Sequence, residues 1–349
     1  MDQQFAFVRR VTSRVVLGPD VTARLPALLA ELGTRSLVVV HDEVLTPLAE
    51  RLASATGAKA RRSLPGGEAV KSLARVGELA SWLRRVGADR TTTLLALGGG
   101  TLVDLCGFVA AVHLRGVPFV ACPTTTLALC DAALGGKNGV DHDGRKNELG
   151  TIRQPDLIAG DPAWLTTLPD EVFAEGFVEA VKMAAVLDGA CFAKLEELAP
   201  AVRRRDAVAS LAAIEHAVAM KMTVVTADET ERDRRRWLNF GHTIGHALES
   251  HAGGRLRHGP CVAIGMLAEC RAAGAVVPPA VVQRLQALLQ ALGAPTAFPR
   301  EHADLDALWT LARQDKKAHD GVVPMVVPTA LGTGAVVPLT REALASSLP

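Results

Sequence analysis

Much that would mark out other protein classes is missing from this 349-residue chain. None of its six cysteines, at 106, 122, 130, 191, 261 and 270, forms a CxxC pair. That argues against a zinc knuckle or a disulfide framework and for reduced thiols in a cytoplasmic protein. Net charge is nearly absent: 38 Lys and Arg against 37 Asp and Glu leave +1. Bulk charge therefore points to neither nucleic acid nor an acidic membrane surface as a partner. No apolar run reaches the roughly 20 residues that span a bilayer. The N-terminus, MDQQFAFVRR, lacks the basic-then-apolar layout of a signal peptide. Internal repeats and low-complexity tracts are also missing. What remains is a globular composition, 49% hydrophobic and 21% charged. The length exceeds what one hydrophobic core usually serves, so two domains are expected.

The first half alternates short apolar strands with amphipathic helices. SLVVVHD (36–42), TTTLLALGGG (91–100) and VPFVACPTT (117–125) read as buried strands. VTARLPALLAELG and SLARVGELASWLRRVG read as helices, the second stopped by a glycine after basic residues. Such alternation predicts a mostly parallel sheet with ligands at the carboxyl ends of its strands. From Leu168 onward helical periods dominate, and MVVPTALG is the exception near the end. The boundary falls in GDPAWLTTLPD, which gives an α/β nucleotide-type domain over 1–166 and a helical domain over 167–349.

Three stretches carry chemistry-bearing residues. LALGGGTLVDLCGF (95–108) follows a strand and opens a helix, so its glycines bring backbone amides and a helix N-terminus within reach of a pyrophosphate. It is not GxGxxG, and a plain strand-to-helix turn fits it equally well. LCDAALGGKNGVDHDGRKNELG (129–150) sets Asp131, Lys137, Lys146 and Asn147 among glycines. That mixture suits a phosphate or polyhydroxyl ligand, or a solvated surface loop. LNFGHTIGHALES (238–250) puts His242 and His246 on one helix face, with His258 shortly after and Glu179 paired at i+3 with Lys182 upstream. Two imidazoles and a carboxylate form a recognised catalytic zinc set. Satisfied core histidines and a local ion pair remain the alternatives, and the absence of HExxH disfavours a zincin-type protease.

Taken together, GGGTLVDLCGF, PTTTLALCDAALGGKNGV, RKNELG, EAVKMAAVLD, LNFGHTIGHALE and LRHGPCVAIGM resemble the 3-dehydroquinate synthase family of sugar phosphate cyclases, in order and over nearly the whole chain. The resemblance implies a Rossmann-like NAD-binding α/β domain, an all-α metal-binding domain and a cleft between them. It makes Glu179, His242 and His258 the ligands of Zn2+ or Co2+. It places Asp131, Lys137, Asn147, Lys182, Lys221, Arg235, Asn239 and His246 in the catalytic set, with a late phosphate-binding lysine at Lys316 or Lys317. For NAD it implies Asp42, Glu68, Lys71, Gly98, Gly99, Gly100, Asp104, Thr124, Thr125, Asp131, Lys137, Lys146 and Thr167. The implied partner is a small sugar phosphate, in a homodimer that binds neither nucleic acid nor membrane.

The resemblance puts a substrate carboxylate at Arg235 with Lys221, a task that a guanidinium suits, and so favours a seven-carbon 2-keto acid phosphate, 3-deoxy-arabino-heptulosonate 7-phosphate, over neutral sugars. Departures at Pro260, Glu171 with Val172, and Asn138 point to a divergent paralogue. The alternatives are a cyclase of secondary metabolism (amino-dehydroquinate, epi-valiolone or deoxy-inosose type) and a metal-dependent polyol dehydrogenase.

Overall fold

A computed structural model describes residues 11–314 and 323–349. Lys316 and Lys317 lie outside the described residues. The chain divides into two compact units, Met1–Pro123 with Gly136–Gly160, and Thr124–Gly135 with Asp161–Pro349. The segment 124–135, from within the expected first domain, thus groups with the helical unit.

The first unit holds strands β1 (Arg14–Leu17), β2 (Ser36–Asp42), β3 (Ala60–Leu64), β4 (Thr92–Gly98), β5 (Phe119–Pro123), β6 (Lys137–His142), β7 (Arg145–Ile152) and β8 (Leu157–Gly160). Its helices are α1 (Val21–Glu31), α2 (Thr46–Thr56), α3 (Leu73–Arg85) and α4 (Gly100–Val112). Six strands form one parallel sheet in the order β1-β8-β5-β4-β2-β3. All of β4 and β5 is buried, as expected of strands covered on both faces, so they read as unbroken apolar runs. The three strands predicted from the sequence are β2, β4 and β5. After β3 the chain crosses back over β2 to β4, so the strand order reverses between β2 and β4. Ligands of open α/β sheets bind at such a point, outside the carboxyl ends. Asp42 ends β2 there and Gly98 ends β4.

The stretch read as a lysine-bearing loop is instead a hairpin, β6 with β7. Asp143 and Gly144 turn it with φ of +47° and +74°, the left-handed pair that a two-residue hairpin turn needs. Asn138 is fixed by packing: its amide donates to Gly136 O (2.8 Å) and Arg153 O (2.9 Å). Gly107 of α4 leaves it room, since a Cβ there would lie 1.9 Å from Asn138 Oδ1.

The second unit holds α5 (Asp170–Leu187), α6 (Gly189–Arg203), α7 (Ala207–Ala227), α8 (His242–Ala252), α9 (His258–Ala272), α10 (Pro279–Ala291) and α11 (Leu305–Arg313). An antiparallel hairpin, β9 (Val323–Ala330) with β10 (Thr333–Leu339), and α12 (Arg341–Ser347) complete it. Helix α5 is buried nearly all round, from Phe173 to Val186, which explains why apolar residues occur on every face of it. By length and mean hydropathy (1.4), α7 passes as a membrane span. It packs against α5 and α6 and carries Glu215, His216 and Lys221, as a core helix of a folded unit can.

The long helical stretch after Leu168 breaks at Asp188, whose carboxylate accepts the Ala190 and Cys191 amides (both 2.9 Å) and caps α6. The Cys191 amide, against a smaller opposing effect of burial, holds the Asp188 carboxyl below its ordinary 3.8. A group depressed in the folded state stabilises above its unfolded pKa and loses that contribution as pH falls through the folded value. Asp188→Ala is therefore expected to cost about 1 kcal/mol at neutral pH, read from urea midpoints. The wild-type advantage is expected to shrink below about pH 4; an advantage that grows on acidification would contradict the cap.

Candidate active site

Helix α5 supplies the first group. Glu179 is fully buried, one turn after Glu175 and one before Lys182. Its Oε1 lies 3.2 Å from His258 Nε2 and 3.8 Å from His242 Nε2. Its Oε2 faces Lys182 Nζ. The three residues expected as metal ligands are thus neighbours within one unit.

Glycines bring the histidines there. Gly265 of α9 sits where a Cβ would be 2.1 Å from Gly241 O and 2.9 Å from Gly245 Cα. At Gly245 a Cβ would be 2.8 Å from Cys261 O. Helices α8 and α9 therefore touch backbone to backbone, running antiparallel. Gly259 lets the start of α9 lie on α5, because a Cβ there would meet Glu175 Cγ at 2.7 Å. Arg257, just before α9, donates to Glu175 and to Glu171 Oε2 (2.9 Å), which ties His258 to α5 from the other side. Pro260 falls in the first turn of α9, where no intrahelical partner awaits its missing N–H. That departure leaves the histidine in place. The ring centroids of His242, His246 and His258 lie 4.8–5.7 Å apart.

The chemistry of these donors tests whether a cation fits. His242 Nδ1 lies 3.2 Å from Phe240 O. A carbonyl only accepts, so that nitrogen carries the proton. Burial, with Lys182 and the neighbouring histidines, holds the His242 pKa well below its ordinary 6.5, so the ring is neutral. Nε2 is then a bare lone pair aimed at a carboxylate oxygen, which is repulsive unless something positive lies between. His258 has a carboxylate at each ring nitrogen, Glu249 Oε2 at Nδ1 (3.0 Å) and Glu179 Oε1 at Nε2 (3.2 Å). Burial disfavours its charged form, yet these two partners push its pKa up to about 10. The charged ring serves both carboxylates, and a cation in place of the Nε2 proton would serve Glu179 in the same way. With Nδ1–H on Glu249 and Nε2 on a cation, all the donors are satisfied in the arrangement usual for metal-bound histidine. The residues fit a divalent metal. His246 also brings a ring nitrogen within 4.8 Å of donor atoms of His242 and His258, so three histidines form an overlapping donor set.

A cluster of paired charges continues from Lys182. Asp131 sits on a single π-turn, Ala128–Ala132, a distortion common at functional sites. Its carboxylate lies 2.7 Å from Lys221 Nζ and 3.9 Å from Lys182 Nζ. Burial opposes ionisation of Asp131, but Lys221 and Lys182 lower its pKa. The segment is bolted to α5: Thr126 Oγ1 donates to Phe173 O (2.9 Å) and accepts the Gly176 amide (3.2 Å). Arg235 is buried, and its terminal nitrogens donate to Glu229 O (2.6 Å) and Gly135 O (3.0 Å). Asn239 donates to Glu231 Oε1 (2.9 Å). Glu231, with φ of +58° on a non-glycine residue, also faces Lys182 and Arg235 electrostatically. The sequence reading missed it among the charges of ETERDRRR. It missed Glu249 as well, though i, i+4 and i+7 spacing from His242 marks that face of α8.

The first unit gathers most of the residues expected at NAD. At Gly98 a Cβ would be 2.5 Å from Leu102 Cδ2, and Gly99 starts α4 with no side-chain cap. Bare amides and the dipole of a 13-residue helix there suit a pyrophosphate. Lys71 is buried, donates to Asp104 Oδ2 (2.9 Å) and to Asn147, and lies 3.7 Å from Glu68. Asn147, expected among the catalytic groups, here holds Lys71. Lys137 and Lys146 are exposed on the hairpin. Thr124, Thr125, Asp131 and Thr167 belong to the second unit. Thr125 Oγ1 accepts the Ala128 amide (3.1 Å), and Thr167 is exposed.

Solved structures place this architecture among the sugar phosphate cyclases. The chain matches 2-epi-5-epi-valiolone synthase ValA from Streptomyces hygroscopicus subsp. jinggangensis 5008, solved with NAD+ and Zn2+, at a TM-score of 0.89 and 27% identity over 99% of this chain and 98% of that one. It also matches 2-deoxy-scyllo-inosose synthase complexed with carbaglucose-6-phosphate, NAD+ and Co2+, at 0.84 and 25% over 95% of each chain. The family profiles are more specific: 3-dehydroquinate synthase N-terminal matches residues 61–175, and 3-dehydroquinate synthase C-terminal matches 176–318. The 3-dehydroquinate synthase of Lactiplantibacillus plantarum is 39% identical over 89% of this chain and 88% of its own length. The chain belongs to the 3-dehydroquinate synthase family.

The overlapping donor sets separate by metal titration. Glu179→Gln and His258→Ala are each expected to weaken zinc binding by more than the roughly 10–100-fold typical of outer-shell changes. His246→Ala is expected to stay within about 10-fold of wild type. An equal loss at His246, measured by chelator competition, would hand the site to the three histidines instead.

Proposed function

We propose that the chain is a carbon–oxygen lyase that converts 3-deoxy-arabino-heptulosonate 7-phosphate to 3-dehydroquinate and phosphate. The observation that supports this best is the burial of Glu179 and His242, two of the metal-type donors, with Lys182, Lys221 and Arg235. Those three cations stand beside the proposed divalent ion, and a substrate carboxylate and phosphate call for positive groups of this kind. When bound, NAD supplies a transient oxidation and the returned hydride, and the metal polarises the substrate's alcohol and ketone.

The side chains do the remaining work. Glu179, His242 and His258 hold the metal; Asp42, Lys71, Asp104 and the glycines that open α4 hold the nucleotide. Two backbone carbonyls fix the plane of Arg235, so a planar carboxylate meets a preset fork rather than a mobile chain. Asp131 keeps Lys221 and Lys182 in place despite their like charges. His246, exposed and one turn past His242, moves the proton near the departing phosphate. A phosphate oxygen of the substrate serves as base for the adjacent C–H, which suits a site with no separate carboxylate assigned to that proton. Lys137 and Lys146, with a late lysine at 316 or 317, are the remaining residues assigned to phosphate and nucleotide. We assign the protein to the cytoplasm as a homodimer; its six cysteines are free thiols, which suits a reducing compartment.

The deciding experiment offers heptulosonate, amino-heptulosonate, heptulose and hexose phosphates with NAD, following phosphate and reduced nicotinamide together. Stoichiometric phosphate from the heptulosonate without accumulating reduced cofactor is expected. Accumulating reduced cofactor without phosphate would make the chain a dehydrogenase, and preference for a neutral sugar would make it a different cyclase. Arg235→Ala is expected to raise KM for the keto acid roughly 10–100-fold, the worth of one or two charge-assisted hydrogen bonds. An unchanged KM would remove the carboxylate argument.

A further inference from the structure

Helix α8 begins at His242, and its N-cap is Gly241 with φ of +78°. The common N-cap residues offer a side-chain oxygen to the orphan amides of the first turn. Gly241 has none, and none fits: a Cβ there would lie 2.5 Å from Met266 Cγ and 2.8 Å from Val262 O. The acceptor comes from another helix. Glu269 of α9, fully buried, accepts the Gly241 amide on Oε2 (2.7 Å) and the Ile244 amide on Oε1 (3.0 Å). A carboxylate in this position also meets the positive end of the α8 dipole.

The two bonds differ in kind from ordinary capping. They span Gly241 to Ile244, the residues on either side of His242, and each takes a different oxygen of one rigid carboxylate. That fixes both the height of the first turn and its rotation about the helix axis. Glu269 follows His258 along α9 by 11 residues, about three turns, so the two residues share the face turned to α8. The opposite end of the pair is tied the other way, by Glu249 of α8 on His258 Nδ1 (3.0 Å). Between these ties Gly245 and Gly265 bring the two backbones together with no side chain of their own to interlock.

We propose that Glu269 is a positioning residue for the metal centre: it locks the register of α8 on α9 and thereby sets the distance from His242 to His258. This rests on the metal reading above. It predicts that loss of the carboxylate loosens the donor set without touching a ligand. Glu269→Gln retains size but turns one acceptor into a donor facing an amide. In the purified full chain it is expected to weaken zinc binding at least about 10-fold by chelator competition. It is also expected to shift and weaken the visible d–d absorption of the Co2+-loaded protein, and to lower kcat with little change in KM. Wild-type zinc affinity with an unchanged Co2+ spectrum would overturn the proposal, even if the variant melts earlier. Should Glu269→Gln fail to accumulate as folded protein, the same measurements fall to Glu269→Asp. Its carboxylate reaches one amide instead of two, so an intermediate affinity and spectrum are expected, and wild-type values again overturn the idea. A wild-type chain that binds neither Zn2+ nor Co2+ would instead sink the metal reading itself.

Discussion

Placing a carboxylate such as Glu179 in a helical core without a counter-charge would cost several kcal/mol. Every group around it must therefore bring positive charge or a hydrogen-bond donor. Lys182 sits on one side, and His242 and His258 present nitrogens on the other. The obligation then spreads outward. Lys182 needs Asp131, Asp131 draws in Lys221, and Arg235 stands beyond them against backbone carbonyls. Such a network is a poor way to gain stability, since apolar packing of equal volume would do as well or better. Its retention in the heart of a helical unit is what a reacting, anionic ligand would demand.

Close approach of helices makes the network possible. Gly176 admits the segment that carries Asp131, Gly259 seats α9 on α5, and Gly241, Gly245 and Gly265 let α8 and α9 meet at backbone distance. Each position lacks the room for even one methyl group. The site is thus specified twice, by the residues that carry charge and by those that carry no side chain at all.

The sequence revealed these two specifications unequally. Strands β2, β4 and β5 were legible because burial on both faces makes them unbroken apolar runs bounded by turn residues. Strand β3, ARRSL at the sheet edge, has no such run. The β6–β7 hairpin was hidden by its polar sequence, although Asp143–Gly144 marks its turn. In the site, Glu179, His242 and His258 were legible as residue types at suggestive spacing and through a family likeness. Glu269 and Glu231 were not, because a carboxylate that serves backbone amides or a neighbouring asparagine follows no periodicity. The π-turn at Asp131 was equally silent: it depends on tertiary packing against α5 rather than on local propensity.

The segment 124–135 leaves the sheet-bearing unit after β5 and joins the helical one before the chain returns for β6. Contiguous stretches of sequence therefore do not correspond to complete folding bodies. A fragment cut cleanly at 160/161 would carry Lys221 and Lys182 into the core while leaving Asp131 behind, so two buried ammonium groups would lose a shared counter-ion. During synthesis that strip of chain, emitted before the parallel sheet is finished, has to wait for the helices that will hold it. Gene fusion, fragment complementation or domain shuffling with relatives would have to treat the loop and the helices as one inherited piece.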